Sequence, residues 1–470
     1  MPALAQSSAK VDRPVSEELS QFALDIRIDQ IPAEVRERAK HLVLDSVGIA
    51  LASTKYLFAS ASLSALEELG AGSTAVIGIG RRLTLRDAVL MNGILIHGLD
   101  FDDTHTRGVI HATASSFPCA LALADRENAG GQALLSAYVA AMEVATRLGS
   151  VAKGGFHQVG FHPTGLIGAF GCALAASRLL DLDYERAIMA QGIVLSMASG
   201  SLEFLSDGAW TKRMHPGWAG VAGITAASLA KHGFVGPRHA YDGRFGLFAS
   251  HLGSLFNNAD LALATEGLGR SWQIGEVAVK PIPACHFAHA AADAAVALHS
   301  AHGLSGQMIR RVQVLVPREV VKTVCEPVAN KRNPANSYDA QFSIPYIVAT
   351  SLLKGRFTLA ELEDAALRDP AVLGLAARVD YEIDPASTFP HHYTGEVVVE
   401  TDDGRRLRHR EAMNRGCADR PLSNEDVVEK FFANAERAVT HDAALRIRDA
   451  VLDLDRHSAR TLADTLSVAP

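Results

Sequence analysis

The stretch PAEVRERAKHLVLDSVGIALAS, residues 32–53, decides the fold class. Proline occupies a first-turn position, charged residues follow early, and apolar residues then recur at spacings of three and four, as in an amphipathic helix. Similar patterns, rich in alanine and glycine, continue outward over residues 84–98, 131–150, 164–180, 184–204 and 217–232. Because small residues let helix axes approach closely, this region predicts a compact helical bundle whose inner helices are covered on all sides.

The sequence pattern changes near residue 270. Period-two alternation and frequent valine, which are typical of strands, occur in WQIGEVAVKPIPAC (272–285), IRRVQVLVPREV (309–320), RVDYEID (378–384) and YTGEVVVETDDGR (393–405). The DDG in the last segment indicates a hairpin turn. Further helices are expected at 287–301, 338–354, 423–437 and 440–453.

These patterns define the expected domains. We predict a mainly α protein, with a large all-helical domain over residues 1–268 and a smaller α+β domain over 269–410. Residues 411–470 are expected to form C-terminal helices that pack back on the helical domain.

The bulk composition excludes several classes of protein. The 470 residues include 48% hydrophobic and 21% charged residues, as in a soluble globular protein. The net charge of -7 provides no basic field for nucleic acid or for an acidic membrane surface. The uncharged run 160–177 contains His, Pro and several Gly, so a buried helix is expected there rather than a bilayer span.

Cysteine usage and the N-terminal sequence indicate the cellular setting. The 5 cysteines are scattered without a CxxC pair, which disfavours structural zinc, an iron–sulfur cluster and a disulfide framework. The segment MPALAQSSAKVDRPVSEELS has no apolar signal core, which disfavours secretion and organelle import. A reducing, cytoplasmic setting is therefore expected.

An acidic loop follows the predicted helix at 84–98. It contains three carboxylates, a threonine and two imidazoles: Asp100, Asp102, Asp103, Thr104, His105 and His111. Carboxylates are electrostatically unfavourable at a helix C-terminus. A capping role for Asp102 or Asp103 in the next helix explains one carboxylate, but not three beside two imidazoles. A metal loop is a weaker interpretation, since the spacing matches no dedicated metal motif.

Two further motifs carry imidazole and ammonium groups. GFHPTG, residues 160–165, places His162 at a helix start, where it either ends a loop or aims a hydrogen-bond donor at an anion. In SDGAWTKRMHPGWAG, residues 206–220, Lys212 is followed by Arg213 and His215. The surrounding Trp, Met, Pro and Gly favour a partly buried ammonium over a surface lysine. A buried cation requires an anionic partner or a substrate.

A fourth motif comes from the predicted α+β domain. In VAVKPIPACHFAHAAADAA, residues 277–295, Lys280 ends a predicted strand, and His286 and His289 open a helix. The glycine-rich segment GIGRRL lacks the third glycine and the acidic residue that a dinucleotide site requires. No GxSxG elbow indicates a serine hydrolase.

In sequence and order, these motifs resemble those of the MmgE/PrpD family. The similar segments are MNGILIHGLDFDDTHTRGVIHATAS, GFHPTG, SDGAWTKRMHPGWA and KPIPACHFAHAAADAA, and the resemblance runs from the helix at 32 to the helices past 423. The family includes 2-methylcitrate dehydratase, cis-aconitate decarboxylase and iminodisuccinate epimerase. The resemblance implies a large helical domain with a smaller α+β lid domain, a homodimer, and an active site between the domains.

The resemblance also implies the residues of the site. Asp100, His111, His162 and Lys212 match catalytic positions. The expected substrate-binding residues are Thr104, Lys280, Arg213, His215 and Tyr346, the last in QFSIPY. The expected substrate is a small polycarboxylate, and neither a metal nor a cofactor is expected.

The implied chemistry occurs at a carbon next to a carboxylate. Fixed cations in a closed pocket can stabilise the enolate-like charge that develops there, which gives Lys212, Lys280 and His162 a clamping role. His111, oriented by Asp100, is the expected general base. Lys212, deprotonated by burial beside Arg213 and His215, is the competing base.

Three functions remain open from the sequence. The first is a cofactor-independent lyase, either a dehydratase or a decarboxylase. The second is an isomerase or epimerase of an iminodisuccinate-like diacid, which needs acid and base groups on both faces of the carbon, such as Lys212 and His111. The third is a catalytically silent binder of an acidic metabolite, which predicts ligand stabilisation without turnover.

Overall fold

The computed structural model describes residues 13–468. Two of the sequence expectations fall partly outside this range. One is the absence of an apolar signal core at the start of the chain, and the other is the outer ends of the domains 1–268 and 411–470. In the first part of the chain the helices are α1 (Val15–Asp25), α2 (Ala33–Ser53), α3 (Leu57–Leu69), α4 (Leu85–His97), α5 (Thr113–Arg126), α6 (Gly131–Val151), α7 (Gly155–Gln158), α8 (Pro163–Leu179), α9 (Tyr184–Val194), α10 (Thr211–Lys231) and α11 (Leu247–His251).

The remaining helices are α12 (His289–His302), α13 (Val321–Val324), α14 (Val328–Arg332), α15 (Ser337–Gln341), α16 (Ile344–Lys354), α17 (Asp364–Leu367), α18 (Pro370–Ala376), α19 (Asn424–Ala435), α20 (His441–Leu452) and α21 (Ala459–Leu466). The strands are β1 (Thr74–Ala75), β2 (Arg82–Leu83), β3 (Thr104–His105), β4 (Val277–Ala278), β5 (Ile309–Val316), β6 (Val379–Ile383), β7 (Gly395–Thr401) and β8 (Arg406–Glu411). The fold is therefore mainly α with a smaller α+β region, which confirms the predicted fold class.

Helix α10 lies at the centre of the helical region, packed against α4, α8 and α9. Glycines make these crossings close: a Cβ on Gly223 would lie 2.5 Å from the Cβ of Cys172 in α8. The small-residue packing expected from the sequence is confirmed here. The predicted helix bounds are wrong in two places. The helix at 184–204 already ends at Val194, and Gly200 has a non-helical φ of 146°.

The other difference concerns the start of α10. This helix begins at Thr211 rather than at 217, and Pro216 lies inside it. Lys212 consequently belongs to the first turn of a rigid helix instead of a preceding loop. Its side chain is therefore held by the packing of the whole helix.

The crossing of α4 and α10 gives a first stability prediction. A Cβ on Gly93 would lie only 2.4 Å from the Cα of Gly217, so Gly93→Ala must push the two helices apart. Overpacking of this kind typically costs about 1–3 kcal/mol, which urea unfolding would measure. Gly374→Ala in α18 is the control, because its Cβ would meet no atom within 4 Å, and it should be neutral or stabilising. Equal effects of the two substitutions would contradict this account.

The α+β region contains a four-stranded sheet in the order β6–β5–β7–β8. β5 pairs in parallel with β6 and antiparallel with β7, and β7 pairs antiparallel with β8. Helix α12 packs against β7 and β8, and α16 packs against α12. The predicted turn is present between β7 and β8, where Gly404 has a φ of 86°.

Two predictions for this region are corrected. The segment 272–285 is not one strand: Gln273–Glu276 form a 3-10 helix, and only Val277–Ala278 are extended, paired with β3 instead of the sheet. The helix at 338–354 is broken between α15 and α16. Ser343 is the N-cap of α16, and its side chain accepts a hydrogen bond from the backbone N–H of Tyr346 at 3.0 Å.

The C-terminal helices lie against helices of the first part of the chain. α19 and α20 pack on α2, and α21 packs on α5. Lys430 of α19 pairs with the buried Asp45 of α2 at 2.7 Å. Between residues 13 and 468, no single helix has both the length and the apolar character to cross a membrane, although α2 and α3, bent by 88°, meet that test as a pair.

Candidate active site

A short strand pair joins the acidic loop to the start of the α+β region. Thr104 pairs with Ala278 and His105 with Val277. Lys280 follows β4 after one residue, so the antiparallel register brings its side chain alongside the loop that precedes β3. Two segments far apart in sequence thus meet at the beginning of the site.

Asp100 is the centre of a buried ion cluster. One carboxylate oxygen, Oδ1, accepts hydrogen bonds from Lys212 Nζ at 2.6 Å and from Lys280 Nζ at 3.0 Å. Lys280 Nζ also donates to the backbone carbonyl of Asp100 at 2.9 Å. Burial alone would raise the pKa of Asp100, but the two ammonium groups outweigh it and hold the pKa well below its usual range. Burial opposes the charge of Lys280 as well, yet Asp100 raises the pKa of that ammonium.

His111 is oriented by backbone and threonine, and this corrects the expected role of Asp100. His111 Nδ1 lies 2.7 Å from the carbonyl oxygen of Asp103 and 3.2 Å from Thr104 Oγ1. Because a carbonyl can only accept, Nδ1 carries the proton and Nε2 carries a lone pair. Burial, followed by the charge of Lys280, lowers the pKa of His111 well below its usual value, so the ring is neutral.

The other two carboxylates of the loop have partners of their own. Asp102 Oδ2 lies 2.7 Å from Nδ1 of His97, the last residue of α4, and both side chains are fully buried. Asp103 Oδ2 accepts a hydrogen bond from Thr113 Oγ1 at 2.5 Å. Burial, and then the charge of Asp102, raises the pKa of Asp103 to about 7. Neither Asp102 nor Asp103 is the N-cap of α5, which is Ala112.

His162 occupies the N-cap position of α8, as the HPT motif indicated. Its Nδ1 lies 3.0 Å from Nδ1 of His215 in α10. The rings of His97, His111 and His162 form a cluster, with centroids 4.9 to 5.9 Å apart. Burial is the main cause that lowers the pKa of His162 well below the ordinary value, and burial lowers the pKa of His215 to about 4.

These groups face a tight cavity with a volume of about 30 Å³. Six predicted residues form its polar wall: Asp100, Thr104, His111, His162, Lys212 and Lys280. The apolar wall contains Val109, Leu202, Phe204, Leu205, Phe287 and Phe342. The cavity therefore combines charged groups with apolar side chains, as ligand sites commonly do.

Three predicted substrate-binding residues do not line this cavity. Tyr346 is fully buried in α16, and its hydroxyl donates to the backbone carbonyls of Glu361 and Ala366 at 2.9 and 3.2 Å. Arg213 donates to the carbonyl of Gly98 at 2.8 Å and lies over the rings of Phe58 and Tyr338. His215 does not line the cavity and contacts His162 instead, with 3.0 Å between their Nδ1 atoms.

Two residues that contact the charged groups of the site are not predicted from the sequence. Phe342 lies beside Lys212, whose Nζ is 4.8 Å from the ring centroid. It precedes the N-cap Ser343, and the Ser-x-Pro pattern at 343–345 is a helix-start signal that separates Phe342 from the helix of Tyr346. His97 lies within the first motif, but the sequence does not predict its role, because its pairing with Asp102 depends on the turn between the two residues.

A buried cluster of two ammonium groups and neutral imidazoles beside apolar side chains is the arrangement of an enzyme site. The chain belongs to the MmgE/PrpD family: the model of the MmgE/PrpD N-terminal domain matches residues 17–257, and that of the MmgE/PrpD C-terminal domain matches residues 282–456. The two matches together cover most of the chain, and they divide it near the change of pattern at 270.

Curated relatives named as cis-aconitate decarboxylases or decarboxylase-like proteins are similar over nearly their full length. A cis-aconitate decarboxylase-like protein, oryM, from Aspergillus oryzae is 27% identical, with 94% of each chain covered. Cis-aconitate decarboxylase from Homo sapiens is 27% identical over 97% of this chain and 95% of its own. A 2-methylcitrate dehydratase from Cupriavidus necator is 29% identical over 40% of each chain.

Proposed function

We propose that this enzyme is a lyase that removes CO₂ from a small unsaturated polycarboxylate of the cis-aconitate type. The observation that carries the proposal is the ion cluster, in which Lys212 and Lys280 share a single carboxylate beside His111. The extended similarity to cis-aconitate decarboxylases supports decarboxylation over dehydration, because the similarity to dehydratases covers less than half of the chain.

The charge balance of the cluster favours an anionic substrate. Two ammonium groups and one carboxylate leave one net positive charge, in a place from which water is largely excluded. A substrate carboxylate that contacts Lys212 and Lys280 completes the neutralisation. Electrostatic attraction in such a low-dielectric site is stronger than in water, so the lysines fix both the position and the charge of the substrate.

The reaction we propose uses only groups of this chain. The bond between the leaving carboxylate and the carbon skeleton breaks, CO₂ departs, and the electron pair of that bond remains on the skeleton. It is delocalised over the neighbouring double bond and a second carboxylate, which the lysines hold. A proton from an imidazolium then forms a new C–H bond, so each turnover takes up one proton from solvent.

The imidazole acquires this proton when the substrate binds. In the free site His111 is neutral, because burial lowers its pKa well below the ordinary value. A polyanion placed beside it favours the charged form and raises that pKa again. His111 Nε2 then carries the proton toward the substrate, while Nδ1 stays bonded to the carbonyl of Asp103. The apolar wall keeps competing water away from the carbanion.

Proton NMR in D₂O tests the proposal. The chelator-treated protein is incubated separately with cis-aconitate, 2-methylcitrate and an iminodisuccinate-type diacid. We expect cis-aconitate to lose one carboxylate as CO₂ and the product to gain one C–D bond. The Lys212→Ala variant should be slower by at least about 100-fold while remaining folded.

Each alternative has its own outcome in the same experiment. Loss of water from 2-methylcitrate without CO₂ would identify a dehydratase, in which neutral His111 acts as a base. Deuterium entering an α-position with no loss of atoms would identify an epimerase. Stabilisation against heat by these acids without any reaction would identify a silent binder. Any of the three results, without decarboxylation, would overturn the proposal.

A further inference from the structure

The three clustered histidines have their Nδ1 atoms engaged in other contacts. His97 Nδ1 faces the carboxylate of Asp102 at 2.7 Å, and His111 Nδ1 faces the carbonyl oxygen of Asp103 at 2.7 Å. Both partners are acceptors, so both Nδ1 atoms carry protons. In the neutral ring, each Nε2 therefore presents a lone pair.

The three histidines meet in a buried place. One ring nitrogen of each histidine lies within 4.8 Å of those of the other two. In residues 13–468, the Nε2 atoms of His97 and His162 are buried and have no hydrogen-bond partner. Buried polar atoms are normally satisfied, so two unpartnered ring nitrogens in one histidine cluster indicate a ligand that this place is built to hold.

The chemistry of the cluster selects the ligand. The carboxylates of a substrate are acceptors and cannot satisfy lone pairs, whereas an O–H donor or a metal ion can. Neutral imidazoles are good ligands for divalent transition metals, and a carboxylate or carbonyl on the second ring nitrogen fixes such ligands in place. The ion cluster of Lys212, Lys280 and Asp100 keeps one net positive charge, but the carboxylate of Asp102 lies 2.7 Å from Nδ1 of His97 and places an attractive charge directly beside the metal ligands.

We propose that His97, His111 and His162 bind one divalent transition metal ion, such as Zn²⁺ or Co²⁺, through their Nε2 atoms. Binding selects the arrangement in which His162 donates through Nδ1 to His215. Metal–nitrogen bonds of about 2.0–2.1 Å require the three nitrogens to close in by roughly one to two ångströms. A water molecule or a substrate carboxylate provides the fourth ligand.

Metal binding should inactivate the enzyme. The ion occupies the same lone pair of His111 that carries the catalytic proton in the proposed reaction. Metal and proton therefore compete for one atom, and divalent ions act as inhibitors that a chelator removes. This consequence rests on the proposed function, whereas the binding of metal does not.

Titration of the chelator-treated protein with Co²⁺ tests the binding directly. We expect about one equivalent of Co²⁺ with the visible absorption of a four-coordinate nitrogen-rich site. His97→Gln and His162→Gln should each weaken binding by at least about tenfold. Asp102→Asn keeps all three imidazoles and should weaken it by about 10–100-fold, because it alters only the group that orients His97.

A second histidine cluster provides the control. His391, His392 and Asp419 also form a possible metal-binding group, but it is solvent-accessible. His392→Gln should leave the Co²⁺ spectrum and the turnover unchanged. Inhibition of cis-aconitate turnover by Co²⁺, reversed by chelator in both the wild type and His392→Gln, would complete the support.

Either of two results would overturn the metal site: no four-coordinate Co²⁺ spectrum, or a spectrum lost only in His392→Gln. Activation instead of inhibition by the ion would contradict the competition of metal and proton at His111. The spectrum is independent of the reaction. A protein that binds Co²⁺ through the buried histidines but does not act on cis-aconitate would retain the metal site and reject the proposed function.

Discussion

Replacing His111 with asparagine should lower kcat by about 10²–10⁴-fold, the range associated with loss of a general acid or base. The asparagine amide can still donate to the carbonyl of Asp103, so the local backbone and the neighbouring Thr104 keep their positions. The substitution removes the imidazole Nε2, which is the proposed proton donor. KM should change much less than kcat, because Lys212 and Lys280 remain to bind the carboxylates. Steady-state kinetics with cis-aconitate measure both parameters.

A matched histidine separates this effect from a general loss of structure. His299 Nδ1 also lies 2.8 Å from a backbone carbonyl, that of Leu352, but the residue is on α12 and does not line the cavity. His299→Asn should therefore keep kcat within about twofold of the wild type, as expected when no transition-state contact is removed. Thermal unfolding of both variants checks that they are folded. A folded His111→Asn variant with a wild-type kcat would remove His111 from the mechanism.

The sequence was sufficient to identify most of the charged groups of the site, but not their partners. Three separated motifs contain Asp100, His111, Lys212 and Lys280, because charged and imidazole residues are conspicuous between apolar segments. The sequence predicts that Asp100 orients His111, since both residues lie in one loop. In the structure Asp100 instead holds the two lysines, and Lys280 reaches it through the pairing of β3 with β4. A two-residue ladder between distant segments leaves too little periodicity to be recognised.

The helices were predicted better than the strands, for physical reasons. A long helix repeats its pattern over several turns, whereas the alternation of residue types in 272–285 is short and is not matched by burial, since Val277, Ala278 and Val279 are all buried. The error at Tyr346 has a local origin. The helix expected over 338–354 is interrupted at Ser343. Phe342 therefore contacts Lys212, whereas the hydroxyl of Tyr346 donates to the backbone carbonyl of Glu361, away from the site. One N-cap thus decides which aromatic ring reaches the site.

Replacing Asp100 with asparagine should destabilise the fold by about 3–5 kcal/mol, the usual cost of leaving a buried charge without its partner. Both Lys212 and Lys280 donate to the same oxygen, so this single substitution leaves two buried ammonium groups uncompensated. Urea unfolding at neutral pH measures the loss. Asp464→Asn is the surface control: Asp464 pairs with Arg82 at 2.7 Å, but both side chains are largely exposed, and the cost should stay below about 1 kcal/mol.

A second substitution and a change of pH identify the cause of the Asp100→Asn effect. In a Lys280→Met background, Asp100→Asn leaves only Lys212 unpaired, so its cost should be smaller than in the wild type. Asp100 has a pKa in the folded state below its unfolded value of about 3.9. Its stabilisation is therefore complete above that value and is lost as the pH falls through the folded pKa. The difference in free energy of unfolding between wild type and Asp100→Asn should be constant near neutrality and should narrow below about pH 4. Equal costs of Asp100→Asn in the wild-type and Lys280→Met backgrounds would show that the ammonium groups are not the origin of the effect.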